Sequence, residues 1–303
     1  DRQNQTFTTI KHNPQSTNSL SSNVIVDICY DHSGGLWIGT YMGGLNYYKR
    51  GQFTHYYNDP KNTRSLLSNN VWAIHEDRDH RIWVGNLNGG ASEFIPETGS
   101  FNHYLTKSDS VNAVSVMAIS ENIDNNIWFA TATGVDLYDK STGRIIHFLR
   151  EDNHNSLSTN STLDVYCDRR GWVWIGTRDG LNLYRPKQQL FTVLTTDNGL
   201  PDNTVVTILE ANDGNMWLAT PQGLCNLVVT INEDGTVDFK TKNYDEQDGL
   251  HGIEFNEHAA LKTRNGELIF GGSDGFSIFN PANLSTTMLN PKVEFCELKV
   301  QNK

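Results

Sequence analysis

The sequence predicts an all-β fold, a β-propeller of four-stranded blades, and three observations carry that expectation. First, an aromatic-centred motif recurs six times. It reads Gly-Leu-Trp-Ile-Gly-Thr at 35–40, Arg-Ile-Trp-Val-Gly-Asn at 81–86, Asn-Ile-Trp-Phe-Ala-Thr at 126–131, Val-Trp-Ile-Gly-Thr at 173–177, Asn-Met-Trp-Leu-Ala-Thr at 215–220 and Glu-Leu-Ile-Phe-Gly-Gly at 267–272. Its central residues are Trp37, Trp83, Trp128, Trp174, Trp217 and Ile269, spaced 46, 45, 46, 43 and 52 residues apart. A four-stranded blade has about that length. Second, three residues before this column stand Gly34, His80, Asn125, Gly171, Gly214 and Gly266. Gly, and after it Asn and His, tolerate the positive φ that a tight hairpin turn requires. Third, two residues after the column only Gly or Ala occurs: Gly39, Gly85, Ala130, Gly176, Ala219 and Gly271. Such a column predicts close approach of the neighbouring blade.

Each repeat divides into strands A to D, short apolar or alternating runs bounded by turn residues. Strand A is expected at 26–30, 71–75, 116–119, 163–166, 205–209 and 255–260, and strand B holds the tryptophan. Strand C follows a glycine, at 45–48, 91–94, 135–138, 181–184, 224–227 and 276–279. Strand D is expected at 53–57, 101–105, 145–149, 191–194 and 239–244. The segment 7–12 resembles a further strand D, so the chain is expected to start with the outer strand of a blade. That strand either closes a ring of six or remains from a larger, seven-bladed or tandem array. The propeller is assigned to residues 1–290, and 291–303 reads as the first strand of another domain.

Composition narrows the function. The chain has 303 residues, a net charge of -11 and no run of Lys or Arg, which argues against nucleic-acid binding. No apolar run approaches a membrane span, and the opening Asp1-Arg2-Gln3-Asn4 does not read as a signal peptide. Cys29, Cys167, Cys225 and Cys296 lack metal-ligand or redox spacing and read as small side chains of the repeat. The ten histidines, among them His75, His80, His103, His154, His251 and His258, show no metal spacing either, so no metal or cofactor is expected. Asp77-Arg78-Asp79 is not a calcium loop, because Ile82 and Asn88 stand where Gly and a bidentate Glu are needed. Asp31, Asp77 and Asp168 recur before the A–B turn and read as turn formers. Asp27 and Asp164 share a strand-A column and are expected to line the channel. No catalytic residue is assigned, since no nucleophile, base and orienter fall together.

The pattern of Asn, then Val or Leu, then Asp, a short turn, Gly, Trp-Ile/Val-Gly and Gly-Leu, best seen at 23–45, 69–90 and 160–181, resembles the two-component regulator propeller repeat. The copy at 249–281 resembles that family's terminal repeat, and 291–300 resembles the opening of the Ig-like domain that follows it. The resemblance implies the periplasmic sensor part of an inner-membrane hybrid two-component histidine kinase of Bacteroides type. Such sensors recognise glycan fragments and carry two propellers in tandem, usually of seven blades each. It further implies the rest of a sensor kinase as partner, within a homodimeric receptor. A protein-interaction platform without a small ligand and a glycan-acting enzyme are the competing readings.

The B–C loops and the D–A loops, such as 58–69 and 245–256, vary most between copies and open on one end of the channel. Function concentrates on such loops. The candidate ligand-binding residues are Arg178, a fork-shaped donor at a loop tip, Asp179 beside it to orient it or accept sugar hydroxyls, Tyr41 as a ring face, and Asn88 as a two-way amide. Trp72 and His258 share a strand-A column near the mouth and complete the set.

Overall fold

The structure is a computed structural model that describes residues 4, 6–106, 115–250 and 252–284. The predicted following domain at 291–303 and Cys296 lie outside the described residues. The first blade is β1 (Ile25–Tyr30), β2 (Leu36–Thr40), β3 (Gly44–Lys49) and β4 (Gln52–Tyr56). The second is β5 (Val71–Glu76), β6 (Ile82–Asn86), β7 (Gly90–Ile95) and β8 (Ser100–Tyr104). The third is β9 (Val116–Glu121), β10 (Ile127–Thr131), β11 (Gly134–Asp139) and β12 (Arg144–Phe148). The fourth is β13 (Thr162–Cys167), β14 (Val173–Thr177), β15 (Leu181–Arg185) and β16 (Leu190–Leu194). The fifth is β17 (Thr207–Glu210), β18 (Met216–Thr220), β19 (Gly223–Ile231) and β20 (Val237–Tyr244). The sixth is β21 (Phe255–Lys262), β22 (Leu268–Gly272) and β23 (Gly275–Phe279). Each blade is an antiparallel meander in chain order, with its first strand innermost. The helical content of the described residues is three single 3-10 turns.

The blades pack in sequence, β1 on β5, β5 on β9, β9 on β13, β13 on β17 and β17 on β21. The small-residue column explains how. A Cβ on Gly39 would stand 2.7 Å from Val71, one on Gly85 2.7 Å from Val116, and one on Gly176 2.5 Å from the Val205 carbonyl. Each of those neighbours lies on, or leads into, the first strand of the next blade. The tryptophans fill the space between blades. Trp83, Trp128, Trp174 and Trp217 are fully buried, and Trp37 nearly so. Trp37 joins Leu66, Val71 and Phe94 in one cluster, and Trp174 joins Ile208, Leu218 and Leu227 in another. The core is thus a series of interblade layers.

The two ends of the series differ from the sequence expectation. Residues 6–11 run outside any sheet, with Phe7 almost fully exposed, and only His12 bridges to Leu20. The sixth blade therefore has three strands among the described residues, and 7–12 is not its fourth. Ile28 and Tyr30 on the first blade, and Leu261, Phe276 and Ile278 on the sixth, stay exposed. Among the described residues β1 and β21 pack on one another less closely than the interior pairs do, although His258 of β21 acts electrostatically on Asp27 of β1.

Candidate functional site at the channel mouth

The innermost strands share a distortion. A β-bulge interrupts the ladder at Val26 in β1, Trp72 in β5, Met117 in β9 and Leu163 in β13. Bulges re-aim side chains and often border functional sites. In β21 the irregularity widens: Phe255 pairs with Gly272 and Ala260 with Phe270, so four residues oppose one. His258 lies in this stretch with a left-handed backbone, φ 58°. Asn256 to Ala259 show no clean alternation, which is why the sequence does not reveal the wide bulge.

Immediately after the bulge column come Asp27 and Asp164. Asp27 accepts the Ile28 N–H at 2.7 Å and, with its other oxygen, the Ile74 N–H of the next blade at 2.6 Å. Asp164 repeats this with Val165 at 2.8 Å and Ile208 at 2.7 Å. Each carboxylate thus ties one blade to the next through a backbone N–H of the neighbouring innermost strand. Burial pushes both carboxyls above the usual carboxylate range, against the opposing influence of the His258 charge and the two N–H donors. The ionised Asp27 also raises Asp164, so the two act on each other within the channel, as their shared column predicts. His258 Nδ1 stands 3.9 Å from Asp164 Oδ1, and its Nε2 is buried with no hydrogen-bond partner among the described residues. The Trp72 Nε1 and His75 Nε2 are likewise buried and unpartnered. Burial lowers His75 to a pKa of about 4, so its ring is neutral at pH 7.

Arg178 rises from the B–C turn of the fourth blade. Its Nη2 reaches Glu257 Oε1 at 3.5 Å, in the bulge of the sixth blade. The link therefore spans the fifth blade's share of the rim and joins Arg178 to the residue that precedes His258. Among the described residues no hydrogen bond or ion pair joins Asp179 to Arg178. The Asp179 N–H donates to Thr177 Oγ1, and the acid facing the guanidinium is Glu257, which sequence reasoning missed. Tyr41 and Asn88 are exposed at the matching turns of the first and second blades, Asn88 with φ 57° and its N–H on Ser115 Oγ. They share the face with Arg178, but among the described residues no hydrogen bond or ion pair joins them to it. The turns themselves are built alike: the Oγ1 of Thr40, Thr131, Thr177 and Thr220 donates to the carbonyl of Gly44, Gly134, Gly180 and Gly223. Variation is confined to the tips on that frame.

The opposite end is regular. All six residues of the turn column have positive φ, from 62° at His80 to 86° at Gly214. Asp31, Asp77 and Asp168 accept their own turn's N–H groups, as expected, and their second oxygen takes the indole N–H of Trp37, Trp83 and Trp174. A second device links neighbouring turns. The backbone N–H groups of His32, Arg78 and Arg169 donate to Glu76, Glu121 and Glu210 of the following blade, and the Arg78 and Arg169 side chains pair with the same carboxylates.

This all-β architecture is that of a β-propeller, and the comparisons agree. The two component regulator propeller family matches residues 19–42, 65–88, 156–179 and 199–222. Four of the six repeats are thus similar to that family's repeat. Histidine kinase P4 of Formosa agariphila is 30% identical over 243 residues, covering 62% of this chain and 17% of the kinase. The extracellular domain of a hybrid two component system from B. thetaiotaomicron is 25% identical with a TM-score of 0.63, covering 88% of this chain and 40% of that one. Virginiamycin B lyase from Staphylococcus aureus shares the fold at 11% identity and a TM-score of 0.60, over 84% of this chain and 78% of the lyase. The chain thus spans less than half the length of its two-component relatives. Among the described residues no helix is long and apolar enough to cross a membrane.

Proposed function

We propose that the chain is the extracytoplasmic, periplasmic ligand-sensing module of a two-component signalling receptor, and that it binds an oligosaccharide fragment at the channel mouth. The resulting change passes to a histidine kinase in the parent receptor, which works as a homodimer. The reading rests on the mouth: Arg178 and Glu257 meet across the rim next in sequence to His258, while Trp72 and His258, in the strand-A column, each keep a buried nitrogen without a partner among the described residues. Oligosaccharide hydroxyls both donate and accept, and they suit a rim of guanidinium, carboxylate and imidazole, with Tyr41 as a ring face. In this reading the module is not catalytic. Asp27 and Asp164 are occupied with backbone donors and staple blades, rather than standing free as an acid and a base. Calorimetry against a panel of glycan fragments tests the proposal. Saturable binding by one fragment, lost in Arg178→Ala, supports it, and hydrolysis of the fragment by the purified chain overturns the non-catalytic part.

One observation favours a protein-interaction platform as a second reading. β23 ends its sheet with Phe276 and Ile278 exposed, beside a cavity of about 480 Å³ lined by Trp217, Tyr244, Phe279 and Leu284. Sedimentation that finds a tight dimer, with no response to any glycan, favours that reading.

A further inference from the structure

At the opposite end of the channel, independently of the ligand proposed above, we infer that His32, Glu76 and His80 form a binding site for a divalent transition metal of the zinc class. Among the described residues they are the one grouping of three metal-ligating side chains whose donor atoms all lie within 4.8 Å of one another. Glu76 Oε1 is 3.4 Å from His80 Nδ1 and in close contact with His32 Nδ1. Donors bound at about 2.1 Å in a tetrahedron are separated by about 3.4 Å. The His80 spacing already matches that figure.

The repeat supplies the contrast that makes the cluster informative. In the clamps between blades two and three and between blades four and five, the carboxylate meets one arginine, Arg78 or Arg169. Between blades one and two, His32 replaces that arginine, and a second imidazole joins it. His80 stands in the turn column where four sister repeats carry glycine, and it holds a φ of 62°. Glycine takes that backbone freely, whereas a side chain makes it costly. The two rings stack with centroids 3.8 Å apart and an interplanar angle of 26°. Two imidazolium ions so stacked repel, whereas two neutral rings sharing a dication with a carboxylate do not.

The remaining features suit a metal as well. The His32 N–H holds Glu76 Oε2 at 2.9 Å, which fixes the carboxylate and leaves Oε1 facing both rings. An outer-shell donor of this kind is a regular part of metal sites. Two imidazoles and one carboxylate favour zinc, nickel, cobalt or copper over calcium or magnesium, which prefer all-oxygen sites. Both histidines are about half exposed, so an ion has a path in, and solvent supplies the remaining ligand. A bound ion joins β1's turn to β5 and to β5's own turn, the one interblade clamp of the three that lacks an arginine.

The test uses the untagged chain, stripped with chelator and titrated with Zn²⁺ alone in a calorimeter. The expected result is one ion per chain, a raised melting midpoint with zinc, and a visible absorption band when Co²⁺ replaces it. His80→Gly restores the residue of the sister turns and so keeps the fold. It and His32→Ala should each weaken binding by about tenfold or more, since outer-shell losses alone reach that size. Absence of saturable binding at micromolar to millimolar zinc overturns the site. So does undiminished binding in both variants, which would place the ion on other histidines.

Discussion

The indole Nε1 of Trp83 donates to Asp77 Oδ2 at 2.8 Å, while Oδ1 of the same aspartate accepts the N–H groups of Asp79 and Arg81 at 3.0 and 2.9 Å. One carboxylate thus closes the A–B hairpin and fixes the ring that fills the interblade layer. Burial pulls the Asp77 carboxyl upward, but the donors from Lys140, Trp83 and Arg81 outweigh it and hold the group below its ordinary range. The same unit recurs as Trp37 with Asp31 and Trp174 with Asp168. The sixth blade has neither partner, with Thr263 and Ile269 at those places.

Removing either member should be costly. Trp174→Ala deletes a fully buried aromatic and is expected to destabilise by about 3–5 kcal/mol. Asp168→Ala leaves the Trp174 N–H and two turn N–H groups without their acceptor, and a loss of about 2–4 kcal/mol follows. Urea unfolding followed by tryptophan fluorescence measures both. Unchanged midpoints would refute the unit.

The third blade offers the converse test. Asn122 occupies the aspartate's place, its Oδ1 accepts Asp124 and Asn126, and the buried Trp128 Nε1 has no partner among the described residues. Asn122→Asp supplies the missing acceptor. It should stabilise by about 1 kcal/mol, which raises the melting midpoint by about 2–4 °C or somewhat less in a chain of this size. A lowered midpoint would show that the added charge is not solvated by the indole.

His75 sets a pH dependence whose sign is fixed by its burial. Its pKa of about 4 in the folded chain lies below the ordinary 6.5. The unfolded chain therefore takes up the proton first as pH falls. The stability associated with a neutral His75 is complete above pH 6.5 and declines between 6.5 and 4, by about 3 kcal/mol at most. His75→Leu places there the residue that β17 carries as Leu209, and it should flatten the melting curve in that window. A variant with the wild-type slope would assign the dependence to other groups.

At the mouth, Arg178→Ala should weaken oligosaccharide binding by about 1.5–3 kcal/mol, the range for hydrogen bonds to a charged group. Its pairing with Glu257 is largely exposed and contributes little to stability, so the melting midpoint should stay within a degree or so. Calorimetry and a thermal scan on the same sample separate the two effects. Full affinity in the variant, with loss from changes at the A–B turns, would move the ligand to the other face.

Much of this fold is legible because blades repeat. The tryptophan column, the glycine, asparagine and histidine column, and the small-residue column each report a local steric demand, and all three demands are met. Asp31, Asp77 and Asp168 were readable as turn formers but not as indole acceptors, since that contact depends on how a ring turns across the hairpin. The site was less legible. Arg178 meets Glu257, and His258 takes its left-handed backbone, in the wide bulge of β21, which no alternation marks. Glu257, and the meeting of His32 with Glu76 and His80, join residues of different blades. The register between blades, not spacing along the chain, determines such pairs. The segment 7–12 has the composition of an outer strand but no ladder, because strand propensity alone does not supply a partner edge.

Among the described residues the main packing between blades runs in chain order, from β1 on β5 to β17 on β21, and the first and sixth blades leave Ile28, Tyr30, Leu261 and Phe276 exposed. The cohesion of such a repeat array is approximately a sum over adjacent interfaces. Opening then starts at the extremes and travels inward, so amides of β1 and β22 should exchange with deuterium sooner than those of β10 and β14. A contact that covered the exposed edge of either end blade would add one more interface and retard exchange there first.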